Sequence, residues 1–307
     1  MLDYICSKQA REDLRRFLIG KVDKSQLSKL DCKNQYISKL FQYSTVNEHT
    51  HSNIKNNYLI AKRPGNFNDI YDSTMHTNTF YKNLRELNES KQLSYYLGYG
   101  FAYKGFTEDY IKKFSEDQDK HLMTCFQNDF FINCLAGTNM DKLMWSHYAG
   151  KHTGICVEYD FIKVNTHIND FLYPVIYADC PIDITDLMSN DDTIPLALLV
   201  SIICKSIDWK YENEWRLIIY MPSQKQEKQS TSEVVKLIAP EISTIYLGHR
   251  FIQNFDRKNT KDNDAQYRNY ELLVKTIIDK NIVTKIAKPH IGAYQLEFDY
   301  CDLRKLI

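Results

Sequence analysis

The sequence predicts an α+β fold: a single mixed, mainly antiparallel sheet carrying helical insertions. Three observations predict it. Short apolar and aromatic runs of strand length recur between turn-forming residues. Longer stretches show helical spacing among many charges. No internal repeat, low-complexity segment or clean domain boundary imposes another architecture.

The elements follow in order. Residues 7–31 place Leu14, Leu18 and Leu27 among charges and read as helix, so residues 1–38 form an N-terminal helical segment. "KLFQYS" (39–44) is a first strand. "TVNEHTHSNIKNN" is a short polar helix with Thr45 or Asn47 as N-cap. "NYLIAKR" (57–63) is a second strand, ended by Pro64-Gly65. Residues 80–118 have helical periodicity, and "HLMTCFQND" (121–129) reads as a strand. "MDKLMWSHYAG" (140–150) is a helix with Asp141 in its first turn and Gly150 as its stop. "GICVEYDF" (154–161) and "YPVIYAD" (173–179) are strands. "IPLALLVSIICKSI" (194–207) is a buried helix, "EWRLIIY" (214–220) a strand, and 222–233 a polar loop. "VVKLIA" and "STIYLG" add strands, a helix covers 270–281, and "AYQLEFDY" (293–300) closes as a strand. Residues 39–253 make the core domain, and 254–307 supply a helix and strand that complete it.

Composition narrows the function classes. Acidic and basic residues balance at 39 each, so no global field attracts long nucleic acid. The eight cysteines form no CxxC pair, and several sit in apolar runs. The first residues lack the apolar core of a signal peptide, and the longest apolar run, 194–203, is too short for a bilayer. The expectation is a cytoplasmic protein with reduced thiols and no membrane partner.

Three stretches carry candidate chemistry. "LMWSHYAGKHTG" (143–154) clusters Trp145, His147 and Tyr148. His147 and His152 are five apart, which is neither HExxH nor an i,i+4 pair, so no metal is expected. His147 is either a ligand-facing group or a buried histidine bonded to backbone. In "WKYENEWRL" (209–217), Glu212 and Glu214 open a strand and point to one side. Such a pair repels, which raises a pKa or demands a cation. Either Glu212 pairs with Arg216 to tie the sheet end, or the pair stabilises a developing cation on a sugar. In "KRPGNFNDIYD" (62–72), Asn68 or Asp69 caps a helix, or Arg63, Asn66 and Asn68 face a ligand.

"RPGNFNDIYD", "CFQND", "LMWSHYAGKHTGICVEYDF", "VIYAD", "WKYENEWRLI" and "IYLGHRF" occur in an order that resembles the bacterial and phage domain-of-unknown-function family 2971, from Lys39 to Phe251. A weaker resemblance, to the ADP-ribosyltransferase superfamily, rests on strand, short helix, strand, then "ENE" opening a late strand. That resemblance implies NAD as substrate, with Glu214 at the catalytic position and Glu212 activating the acceptor. It implies that His147 and Tyr148 bind phosphate or stack on nicotinamide while Trp145 and Trp215 wall the cleft. The first-strand arginine or histidine is replaced by Gln42, which cannot ion-pair with pyrophosphate; Arg63 or His147 would stand in. Tyr58 takes the second-strand position.

The function expected is therefore an ADP-ribosyltransferase-like or NAD-cleaving enzyme of a toxin or anti-phage defence type. Its partners are NAD or a small nucleotide, with a protein or nucleic-acid acceptor. The alternatives are a non-catalytic sensor or interaction module of a defence system, and a nucleotide- or RNA-processing enzyme using His147. Convergence of His147, Glu212, Glu214 and Arg63 on one pocket would favour the enzyme.

Overall fold

The computed structural model describes residues 1–30, 37–90, 92, 93, 97, 106–162, 167–222, 233–255 and 264–305. Its strands are β1 (Lys39–Ser44), β2 (Tyr58–Lys62), β3 (Phe130–Ala136), β4 (Ile155–Asp160), β5 (Leu172–Pro174), β6 (Ile176–Ala178), β7 (Cys204–Ser206), β8 (Glu214–Tyr220), β9 (Val234–Ile238), β10 (Glu241–Leu247), β11 (Val283–Pro289) and β12 (Leu296–Tyr300). Ten of them form one sheet in the order β12-β11-β10-β4-β1-β3-β2-β9, with β8 beside β3 and β5 beside β8. Within it β10 and β11 run parallel and the other pairs antiparallel, so the α+β expectation holds. β6 and β7 form a separate parallel pair.

Strand alternation feeds two cores. Ile132 and Ile218 face helices Lys8–Leu18 and Ile194–Ile203, whereas Leu135 and Leu217 face helix Asp264–Asp279. A third cluster, around Trp145, Tyr43 and Tyr246, lies toward one end of the sheet.

Several elements differ from the sequence reading. The stretch 121–129 is the last part of a helix, Glu108–Asp129, capped at Thr107. Leu122 and Phe126 are spaced for one helical face, and Phe126 is buried against the first core. β3 follows with no turn residue between, which hid it. The segment 7–31 breaks into Lys8–Leu18 and Lys24–Leu30. Residues 173–179 split into β5 and β6, and the apolar helix stops at Ile203 so that Cys204–Ser206 becomes a strand. β11 was not foreseen. Of the helix 80–118, residues 91, 94–96 and 98–105 lie outside the described residues, as do 223–232 of the polar loop.

The site is positioned by a fork. β3 pairs with β8 along its length, from Phe130↔Tyr220 to Ala136↔Glu214. On its other side β3 meets β1 at Phe41↔Ala136 and β2 at Lys62↔Ile132. Between these contacts the Asn133 side chain bridges the gap, its amide donating to the Ile60 carbonyl at 2.9 Å.

Helix Lys142–His147 lies at the open end. Its N-cap is Asp141, which accepts from the amides of Leu143 and Met144. The helix ends at His147, short of Gly150, because Gly150, Lys151 and His152 all take left-handed φ values (56°, 55° and 69°). This turn delivers the chain to β4 through Gly154. A Cβ there would overlap the Ser44 carbonyl and stand 2.9 Å from the Ala149 oxygen, both backbone atoms. Gly154→Ala is expected to cost about 2 kcal/mol or more through backbone displacement. A denaturation midpoint matching the parent would refute this.

Candidate active site

A cavity of about 460 Å³ opens at the fork. β1 contributes Gln42 and Tyr43, the loop after β2 contributes Asn66, Phe67 and Asn68, and helix Lys142–His147 contributes Met144, His147 and, just past it, Tyr148. Its charged members are Lys62, Asp72, Lys205, Glu212 and Glu214.

Local structure explains why these charges meet. β7 carries Lys205 away from the apolar helix. The 3-10 helix Ile207–Glu212 then ends at Asn213, whose left-handed φ of 43° reverses the chain into β8. Glu212 and Glu214 thereby point at one ammonium. Lys205 Nζ lies 2.7 Å from Glu212 Oε2, 3.2 Å from Glu214 Oε2 and 3.2 Å from Asp72 Oδ2. Arg216 donates through Nε to Glu214 Oε1 at 2.8 Å and through Nη2 to Asp72 Oδ2 at 2.7 Å. Its Nη1 donates to Ser73 Oγ at 3.1 Å and to the Ile202 carbonyl. All five charged groups are buried.

The two glutamates are driven apart electrostatically. Burial opposes the ionised form of Glu214, but Arg216 and Lys205 overcome it and hold its carboxyl down at about 2. For Glu212 burial is the largest influence and Glu214 adds repulsion, so its carboxyl lies above the usual range despite Lys205. Tyr148 donates to Glu212 Oε1 at 2.5 Å, and Asn68 Nδ2 donates to the Tyr148 hydroxyl at 3.2 Å. Burial and the Glu212 hydrogen bond raise the Tyr148 phenol, which therefore serves as a neutral donor.

Residues 144–217 match the model of a family described as a protein of unknown function, DUF2971. No curated protein and no solved structure matches the chain. The matched segment runs from Met144 into β8 and so contains His147, Tyr148, Lys205, Glu212, Glu214 and Arg216. Asp72 and Asn68 reach the cluster from outside it.

Of the residues singled out in the sequence, Gln42, Asn66, Asn68, His147, Tyr148, Glu212 and Glu214 line the cavity. Six do not. Arg63 donates to the Asn128 carbonyl and lies over the Phe131 ring at 4.5 Å, so it does not join His147 and the glutamates. Trp145 is fully buried, its Nε1 donating to Asn139 O at 2.8 Å and Tyr43 packing edge-on at 5.3 Å; it is core and walls nothing. Trp215 packs against the second core. Asp69 accepts from the Tyr71 amide at 3.0 Å in a local turn, and Tyr58 packs near Lys236 on β9. Arg216 is sealed below the cavity and is paired with Glu214 and Asp72, so the alternative in which it pairs with Glu212 falls. His147 is exposed, with Tyr211 6.2 Å away, so the buried-histidine alternative falls.

Sequence reasoning missed Lys205 and Asp72. Lys205 carried a signal: a lone cation directly after ten apolar-rich residues must be paired if it is buried. Asp72 closes "RPGNFNDIYD", but the local turn at Asp69 drew attention from it.

Proposed function

We propose that this cavity binds the nicotinamide–ribose end of NAD and that the chain cleaves its N-glycosidic bond, passing ADP-ribose to water or to an acceptor, in a reducing cytoplasm. The observation that carries the reading is the buried charge cluster. Within the buried cluster Asp72, Glu212 and Glu214 oppose Lys205 and Arg216, an excess of one negative charge when all are ionised, and Lys62, the other cation lining the cavity, is exposed and screened by solvent. That field favours a pyridinium ring over a neutral one. It favours still more the oxocarbenium charge that forms when the C1′–N bond breaks and its electron pair leaves with nicotinamide.

The residues take distinct parts. Glu214, held ionised by Arg216 and Lys205, supplies the fixed negative charge. Glu212, with its raised carboxyl pKa, is the better-matched base and takes the proton from the nucleophile that attacks C1′. Tyr148 orients Glu212, while Tyr43, Phe67 and His147 offer ring faces and Gln42, Asn66 and Asn68 offer amides. A second reading, binding without reaction, draws on one observation: both oxygens of each glutamate are already engaged by protein donors.

Incubation with NAD is expected to release nicotinamide, detectable by chromatography. Tyr148→Phe should slow that release about tenfold or more, the effect of losing one hydrogen bond to a charged group. NAD left intact by enzyme in molar excess would sink the enzymatic reading and leave binding.

A further inference from the structure

A second cleft, of about 670 Å³, is lined by Lys142, His152, His249, Arg250, His290 and Tyr294 among others, and no carboxylate among the described residues lines it. In a chain whose charges balance overall, this concentration of basic groups is unusual. Three chain segments supply it: helix Lys142–His147 with the turn that follows it, the loop after β10, and the β11–β12 hairpin. Their approach is built into the backbone. The Arg250 amide donates to the His152 carbonyl at 2.9 Å and the Gly248 amide to the Gly154 carbonyl at 2.9 Å. A Cβ on Gly248 would overlap the His152 carbonyl, so only glycine lets these loops close.

We propose that this cleft is a binding site for a phosphoryl anion, a phosphate ester or polyphosphate, and that binding is linked to proton uptake by His152. Arg250 supplies a planar fork suited to two phosphate oxygens, and Lys142 supplies a point charge. The Lys142 ammonium lies 5.3 Å from the centre of the Tyr294 ring, whose exposed face offers a stacking surface for an attached base.

The proton linkage follows from His152. Ser146 Oγ donates its only proton to the Lys142 carbonyl at 2.9 Å, and lies 3.2 Å from His152 Nε2. With the hydroxyl proton on that carbonyl, a neutral ring meets Ser146 Oγ through an Nε2 donor and carries its lone pair on Nδ1. That Nδ1 is buried and has no partner. Burial first, then Arg250 and His249, hold this imidazole neutral below its ordinary pKa. The groups facing it are Lys142 on the helix, His249 and Arg250 on the β10 loop, and His290 on the hairpin. Glu297 is 3.2 Å from His290, the one carboxylate paired with this set among the described residues. A bound anion offsets the repulsion from Arg250 and His249, so His152 protonates as it binds.

The test is calorimetric titration of the full chain with inorganic pyrophosphate and, separately, with AMP. Saturable pyrophosphate binding is expected, tighter at pH 6 than at pH 8. Arg250→Ala should weaken it about tenfold or more with the melting temperature unchanged, because that side chain is exposed. Glu212→Gln should bind normally, which separates this site from the first cavity and from the NAD reading. Tighter binding of AMP than of pyrophosphate would mark the ligand as an ester, and the reverse as a free polyphosphate; both sustain the proposal. Absence of saturable binding at millimolar ligand, or binding indifferent to Arg250→Ala or lost in Glu212→Gln, would overturn it.

Discussion

Arg216→Met is expected to remove about 3–5 kcal/mol of folding stability, a large part of the 5–15 kcal/mol typical of a folded chain. The guanidinium is fully buried and joins three parts of the fold: Asp72 and Ser73 on the loop after β2, the Ile202 carbonyl at the end of the apolar helix, and Glu214 on its own strand. Methionine fills similar space but leaves Asp72 and Glu214 to share Lys205. Its cost is the cost of uncompensated buried charge, not of a cavity. Arg216→Lys should recover little, because a point charge cannot reach carboxylates and carbonyl together. Urea unfolding measures both, and a loss under about 1 kcal/mol for Met would mean that water or Lys205 compensates the anions. The same pairing sets the acid limit. Glu214 titrates at about 2 against an ordinary 4.5, so its stabilisation is complete above the ordinary value and disappears as pH falls from about 4.5 toward 2.

The legible parts of this fold were those with strong local patterning. The run from β1 through the Asn47-capped helix to β2 was read correctly, because alternation, cap and Pro-Gly stop agree with one another. β3 and β11 were invisible for opposite reasons. β3 is buried nearly throughout and follows a helix without punctuation, whereas β11, "VTKIAKP", is partly exposed and carries two lysines and a proline. At the site, the convergence of Glu212 and Glu214 was legible from their i,i+2 spacing, although the left-handed Asn213, not strand pleat alone, produces it. Their partners were not legible. Asp72 and Lys205 lie 133 positions apart in sequence and meet only because β2 and β7 are brought under the same cavity. The aromatic cluster at 145–148 divided where helix geometry divides it: Trp145 turned into the core, and His147 and Tyr148 turned to the cavity.

If the proposed NAD cleavage is correct, Glu212→Gln is expected to slow nicotinamide release sharply while leaving the fold as stable as the parent, or more so. In the parent, Asp72, Glu212 and Glu214 face Lys205 and Arg216, one negative charge too many for the buried space. Glutamine balances the set. Its carbonyl still accepts from Lys205 and its amide donates to the Tyr148 oxygen, while the Tyr148 proton, which loses its carboxylate acceptor, turns to the open cavity. The sign of the pH effect agrees. Because the folded-state carboxyl of Glu212 lies above its ordinary value, its contribution is present below that value and is lost as pH rises through the raised one. Its ionised form is therefore a liability at neutral pH, and the variant should show a flatter stability profile there, with a gain in stability. Activity should move the other way, by roughly 10²–10⁴-fold, the range for losing a general base. Glu214→Gln serves as the contrast. It strips Arg216 of an ion-pair partner and should cost about 3–5 kcal/mol, so its loss of activity would be inseparable from unfolding. Chemical denaturation and nicotinamide release, measured on both variants, separate the roles. A Glu212→Gln protein that is stable and fully active would exclude Glu212 as the base. One destabilised like Glu214→Gln would mean that the whole cluster is scaffold. A gain in stability joined to a loss of turnover is what an anion retained at a structural cost, for the sake of chemistry, should produce.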